Sequence, residues 1–316
     1  MPFLKTLVRG LQEAPGYTLM RGVARFAIVR NAVAAVRHAL QRASAQRFAA
    51  QCERRLHESV FGAVEHAASV QQLKDDGAAF GLRLPQAMVD EILAFAQRAP
   101  CYADRKPAFG FALGQHHQAQ QQLGKPILVA QYFNAALECP AIAKLSQDPL
   151  LLWIAARYLG STPRLVGVNL WWTFPVNASP EDRDLHAHLF HRDVDDFRFF
   201  KFFFYLTDVL PGDGAHVCVL GSHKRPPARN FLDRWVIRRY SNAEVEANYQ
   251  PQAIREICGP AGTGFAENTL CIHKGLTPVR EPRLLLQLQF ALFNYGNTDD
   301  LRRADQLAML PRQAPP

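Results

Sequence analysis

The stretch "HLFHRDVDDFRFFKFFFYLTDV", residues 188–209, sets a cluster of histidine, aspartate and arginine directly against a run that is almost wholly aromatic and aliphatic. Strongly hydrated groups beside a hydrophobic strand need partners or a ligand, because burying them unpaired is costly. Two readings are open: a polar turn, or half of a metal site. His191 and Asp193 are two residues apart, so in extended backbone their side chains share a face. An imidazole and a carboxylate together form a mixed nitrogen and oxygen donor set suited to a divalent transition metal. Two such donors alone do not decide between the readings.

Working outward, the runs "RLVGVNLWWTF" (164–174), "AHVCVLGS" (215–222) and "RLLLQLQFALF" (283–293) are short, rich in Val, Leu, Phe and Trp, and separated by Pro, Gly and Asp. Strands without intervening helices predict an antiparallel sandwich or barrel. Ahead of them the chain reads as helical. Residues 20–60 contain no proline and are rich in alanine. Asp76-Gly77 marks a turn into a short apolar strand, and Leu84-Pro85 opens a helix ending near Pro100. In "DPLLLWIAARYLG" (148–160) Asp148 is the N-cap, Pro149 the first turn and Gly160 the stop, and the apolar face must bury against a sheet. Residues 101–125, mixed and Gln-rich, read as irregular surface structure. In the last run Leu284, Leu286, Leu288 and Phe290 share one side, with Arg283, Leu285, Gln287 and Gln289 on the other. The polar side would line a cavity while the other packs on the N-terminal helices.

A third donor comes from "TLCIHKGLTPVREPRLLLQLQF" (269–290), where His273 follows a strand-like run and Arg283 opens the polar-faced strand. Two histidines and one carboxylate on one face of a metal leave three positions open, the arrangement of non-heme Fe(II) oxygenases. An arginine fork beside them is what a dicarboxylate cosubstrate needs for bidentate anchoring. Arg280 competes for that role; Arg283 continues the inward parity of Gln287 and Gln289.

From about residue 70 to 293 the chain resembles the phytanoyl-CoA dioxygenase family of Fe(II)/2-oxoglutarate oxygenases. The resemblance rests on "DDGAAFGLRLP", "DPLLLWIAARYLG", "HRD" followed by "FFKFFFYLTDVLPGDGAHVCVLGSHK", and "IHKGLTPVREPRLLLQLQF", in that order. It departs at Gly214-Ala215-His216, where the family usually carries a glycine and a proline. The resemblance implies a mostly β fold with flanking helices: a double-stranded β-helix (jelly-roll, cupin-like) barrel with an N-terminal helical extension. It implies that His191, Asp193 and His273 are catalytic iron ligands and that Arg283 binds the distal carboxylate of 2-oxoglutarate. The implied cofactor is Fe(II), with 2-oxoglutarate and O2 as cosubstrates. The implied activity is a dioxygenase that hydroxylates a small organic molecule, giving succinate and CO2. Related halogenases lack the carboxylate, so Asp193 favours hydroxylation. A catalytically inactive metal- or cosubstrate-binding scaffold and a zinc hydrolase are the alternatives.

Other polar residues have blander readings. His186 and His188 are expected in a loop, Asp195 and Asp196 in a solvated turn, and His216 and His223 fixing a turn by hydrogen bonds. Trp171 faces the cavity and Cys271 is a small packed hydrophobe. Residues 1–47 hold eight Lys or Arg against one acid, Glu13, so most of the net charge of +8 sits there. Residues 1–69 are therefore set apart as a basic helical extension, packed against an oxygenase domain of residues 70–316. Contact with an anionic membrane surface is the weaker reading of that arm, and an organellar transit peptide shares its composition. No run is apolar enough to span a membrane and no secretory signal is evident, so a cytoplasmic protein with a small-molecule substrate and no nucleic-acid partner is expected. The six cysteines show no metal or disulfide spacing and are expected to be reduced.

Overall fold

The computed structural model describes residues 10, 12, 14–62, 66–224, 238–296 and 299–311; Lys5 and Arg9 of the basic arm lie outside the described residues. The N-terminal helical region is two helices, α1 (Pro15–Val23) and α2 (Ala27–Arg54), interrupted where a single helix over residues 20–60 was expected. Then come α3 (His66–Asp75), β1 (Ala78–Arg83) and α4 (Gln86–Arg98). The supposedly irregular segment after residue 100 contains two short buried strands, β2 (Cys101–Ala103) and β3 (Gly110–Phe111), and a helix, α5 (His116–Leu123). The strand β4 (Val129–Tyr132), the helix α6 (Pro149–Leu159) and β5 (Arg164–Thr173) precede the aromatic strand β6 (Phe199–Tyr205). The strands that follow are β7 (His216–Val219), β8 (Ile254–Ile257), β9 (Thr263–Glu267), β10 (His273–Gly275) and β11 (Arg283–Ala291).

The strands form an eight-stranded sheet in the order β1-β9-β6-β11-β5-β4-β2-β3 and a three-stranded sheet in the order β10-β7-β8, with antiparallel pairing throughout. This is the expected double-stranded β-helix fold. Two facing apolar layers build it. Leu284, Leu286, Leu288 and Phe290 of β11 join Phe200, Phe202 and Phe204 of β6 in the core shared with α6, where Tyr158 meets Phe200 edge-on at 5.1 Å. The opposite parity, Phe203, Tyr205 and Leu285, packs against Ala215, Cys218 and Ile257 of the small-sheet side. Because β11 is hydrogen-bonded on both flanks, its register aligns Gln289 with Lys201 and Gln287 with Phe203. A one-residue slip would put the polar set into the helical core, so the alternation fixes the register.

Asp148 ties the helices to this frame. It is buried, accepts from the Leu150 amide at 2.9 Å as N-cap of α6, and also accepts from Ser59 Oγ at 3.0 Å and the Val60 amide at 2.8 Å. Helix α6 ends where Gly160 takes a left-handed φ of 68°. There His38 of α2 contacts the Gly160 carbonyl through Nδ1 at 2.8 Å, so the N-terminal helices lie on the main sheet's helical face. Asp148→Ala removes a cap and leaves two further donors unsatisfied; it is expected to cost about 2–4 kcal/mol in denaturant unfolding, with Asp148→Asn costing less.

Candidate active site

His191, Asp193 and His273 meet although they are remote in sequence. Their donor atoms all lie within 4.8 Å of one another. Asp193 Oδ1 is 3.6 Å from His191 Nε2, and its Oδ2 is 3.6 Å from His273 Nε2. Backbone pairing holds them: the His191 amide donates to the His273 carbonyl at 2.9 Å, the His273 amide returns the bond at 3.0 Å, and the Asp193 amide donates to Thr269 O at 2.8 Å. Each imidazole is also oriented from behind. His191 Nδ1 contacts the Leu189 carbonyl and His273 Nδ1 the Cys271 carbonyl, both at 2.9 Å. A carbonyl can only accept, so both Nδ1 atoms carry the proton and both Nε2 lone pairs face the shared point.

Electrostatics favours that state. Burial and the neighbouring His191 lower His273 to about 4, and burial likewise lowers His191, so both rings are neutral at pH 7. Burial pushes the Asp193 carboxyl up, but Lys201, His273 and His191 outweigh it and hold the group well below the usual carboxylate range. The Lys201 ammonium bonds Asp193 Oδ2 at 2.7 Å and lies 3.3 Å from Asp195; these carboxylates overcome its burial and keep it charged. Sequence reasoning passed over Lys201, yet its signal was the single charged residue in an otherwise aromatic strand.

The three donors open onto a cavity of about 260 Å³ that Arg283, Gln287, Lys201 and Trp171 also line. Arg283 is 3% exposed. Its Nη1 donates to the Gly214 carbonyl and its Nη2 to Thr173 Oγ1 at 3.2 Å, while Nε has no partner. Gly214 is required here: its φ is 79°, and a Cβ would come within 2.6 Å of the Pro278 ring. Arg280 points elsewhere, into a half-exposed pair with Asp213 at 2.9 Å, so of the two arginines only Arg283 reaches the cavity. Arg105, which sequence reasoning missed, lines the same cavity with its guanidinium 5.1 Å above the Trp171 ring and its backbone at φ 59°.

His186 and His188 fall in a loop, as expected, and that loop forms part of the cavity wall, with His188 bonded to Thr277 Oγ1 at 2.8 Å. The expectations for His216 and for Asp195 and Asp196 are corrected. His216 is a wall residue as well, and its Nε2 lies 2.6 Å from Glu267 Oε2. Burial raises Glu267 to about 7 and, with Arg283, lowers His216 to about 3, so their contact is one of a carboxylic acid donating to a neutral imidazole over much of the acid range. Asp195 and Asp196 are not a solvated turn. Asp196 is fully buried and accepts from the Phe197 and Phe293 amides, and Asp195 accepts from Tyr17 of α1. A lone acid at the end of β9 was the available signal for Glu267. His223 and Cys271 stay outside the cavity, and all six cysteines are free thiols.

No protein-family model matches the chain, and no curated protein sequence matches it. Solved structures do. HygX from Streptomyces hygroscopicus with nickel and 2-oxoglutarate bound is 15% identical, covers 80% of this chain and 98% of its own, and superposes with a TM-score of 0.51. With hygromycin B also bound, HygX is 15% identical over 76% of this chain and 93% of its own, with a TM-score of 0.50. The non-heme α-ketoglutarate-dependent epimerase SnoN from nogalamycin biosynthesis is 16% identical over 71% and 80% of the two chains, with a TM-score of 0.47. What HygX and this chain share at such identity is the fold. Among the described residues no helix is long and apolar enough to cross a membrane.

The histidine shifts carry a stability consequence. His273 has a folded pKa of about 4 against an ordinary 6.5. The unfolded chain therefore binds the extra proton first, and this group's contribution is present above pH 6.5 and lost as pH falls toward 4. That loss amounts to about 3 kcal/mol. Denaturant unfolding between pH 7 and pH 4 should show it, and His273→Gln should flatten the slope in that window.

Proposed function

We propose that the chain is a non-heme Fe(II)/2-oxoglutarate-dependent oxygenase that hydroxylates a small organic molecule, with residues 70–316 as the oxygenase unit and residues 1–69 as its extension. The observation that carries this reading is the convergence of His191, Asp193 and His273 on one point beside the buried Arg283. The donor set fits a divalent transition metal: two neutral imidazoles with Nε2 lone pairs aimed inward and one ionised carboxylate. The fold fits as well, since HygX carries nickel and 2-oxoglutarate on it.

The chain's own part is positioning and charge. His191 and His273 would hold the metal, their Nδ1 protons fixed on carbonyls so that neither ring can turn its donor away. Lys201 holds Asp193 Oδ2 and so fixes the third donor's rotamer. Arg283 would take the distal carboxylate of 2-oxoglutarate, its unpartnered Nε being a buried donor that an anion satisfies. Burial of Arg283, Trp171 and His216 around the reacting centre limits water there. When bound, the iron supplies the redox chemistry in which one oxygen atom of O2 enters a C–H bond of the substrate and the other enters 2-oxoglutarate, giving succinate and CO2.

A zinc hydrolase built on the same three donors has no use for Arg283, and a scaffold protein has no use for turnover. The test is anaerobic addition of Fe(II) and 2-oxoglutarate, followed by a search for the weak visible charge-transfer band of the chelate and for succinate after oxygen is admitted. His191→Ala should abolish the band and metal retention. Arg283→Ala should raise the 2-oxoglutarate concentration needed for half-saturation by about 100-fold, the loss of a charge-assisted fork. Absence of the band in the wild-type chain, or activity indifferent to Arg283, would discard the oxygenase reading.

A further inference from the structure

Away from the three donors, a second cavity of about 500 Å³ opens between α2 and the sheet. Its charge comes from four separate parts of the chain. The first turn of α2 brings Arg30, the last turn of α3 brings Lys74, the residue before β6 is Arg198, and the turn after β7 brings Lys224. Among the described residues no acidic side chain lines it. Among the described residues Lys74 and Arg198 form no side-chain hydrogen bond or ion pair, and Lys224 has only Asp75, at 3.8 Å on the exposed rim. Arg30 is buried and donates Nη1 to the neutral Ala24 and Arg25 carbonyls, so its charge is uncompensated. Burial and the nearby Arg192 together lower it to about 10.

The backbone adds to this field. Ala27, the first residue of α2, lines the cavity, and its N-cap Phe26 has no side-chain oxygen to satisfy the exposed amides. The positive end of a 28-residue helix therefore opens where the cations gather. Like charges held together without a counter-ion repel, and a multiply charged anion relieves that repulsion while satisfying the free donors. Phosphate suits the site better than a carboxylate because it offers three acceptor oxygens and up to two charges.

We propose that this cavity binds a phosphate ester group, as a monophosphate or diphosphate. The carrier is either a soluble metabolite or an anionic lipid headgroup. The second source has its own footing, because the apolar Ile28, next in sequence to the lining residue Ala27, is 85% exposed. The site is independent of the oxygenase reading, since none of its cations touches the three converging donors.

The test uses the full chain. Thermal unfolding is followed in millimolar inorganic phosphate and pyrophosphate against chloride at matched ionic strength. Co-sedimentation is run with phosphatidylcholine vesicles with and without phosphatidic acid. At about ten times the dissociation constant, a specific anion should raise the melting temperature by about 2–4 °C. The variant Lys74→Gln/Arg198→Gln should lose the response, whereas Arg47→Gln, which removes one charge from an exposed part of α2 just as Lys74→Gln alone removes one from α3, should keep it. Lys74→Gln alone, at an exposed position, serves if the double variant does not fold. Response to the soluble anions assigns a metabolite. Response only to phosphatidic acid vesicles, lost in the variants, assigns a headgroup. No response to either source, or a response that the cavity variants retain and Arg47→Gln shares, overturns the proposal.

Discussion

The reciprocal backbone hydrogen bonds between His191 and His273 are the constraint on which the site depends. They belong to neither sheet ladder, and they fasten the segment ahead of β6 to the start of β10. Such a bridge sets the Cα positions of both residues, and the carbonyls of Leu189 and Cys271 then set the two ring orientations. Two dihedrals per imidazole are thus fixed by the protein alone. Asp193, one strand period further, inherits its direction from the same pairing through the Thr269 carbonyl. Preorganisation of this kind would lower the entropic cost of binding a metal ion, because the three side chains are already ordered by the protein.

Holding a charged centre beside β6 demands compensation, and the structure supplies it from the inward parity of two neighbouring strands. Lys201 pairs with both Asp193 and Asp195, and Gln289, its register partner, also reaches Asp195. A buried pair of this type adds little net stability, since desolvation offsets attraction. Its effect is on specificity: one buried charge missing would leave the others unpaired, so the arrangement admits a single register. The contact between Glu267 and His216 solves the same problem differently. Below about pH 7 burial keeps the acid protonated and the imidazole neutral, so over that range the pair contributes polarity without a charge beside the three converging side chains.

Much of this was legible in the residues because it follows from periodicity. The alternation in "RLLLQLQFALF" placed Arg283 and Gln287 on the cavity side and Leu284, Leu286 and Leu288 on the helical side, and the cap and stop of α6 were readable from Asp148 and Gly160. Convergence of His191 with His273 was a matter of topology, legible only through the order of motifs. What stayed hidden depends on long-range partners. Asp195 and Asp196 look like a solvated turn until Tyr17, Gln289 and Phe293 are brought to them. Strands β2 and β3 are three and two residues long, too short for any periodic signal, and became buried only by pairing at the sheet's edge.

Arg192 connects the two halves of the molecule's chemistry. In extended backbone the residue between His191 and Asp193 must face away from both. Its Nε donates to the Leu270 carbonyl at 2.9 Å, and its charge is felt by Arg30 across the wall of the cationic cavity. Leu270 and Asn268 line that cavity, and the same loop runs directly into His273. One short segment therefore presents His191 and Asp193 on one side and a cation on the other. The loop opposite it is pinned both by Arg192 and by the amide of Asp193, which bonds Thr269.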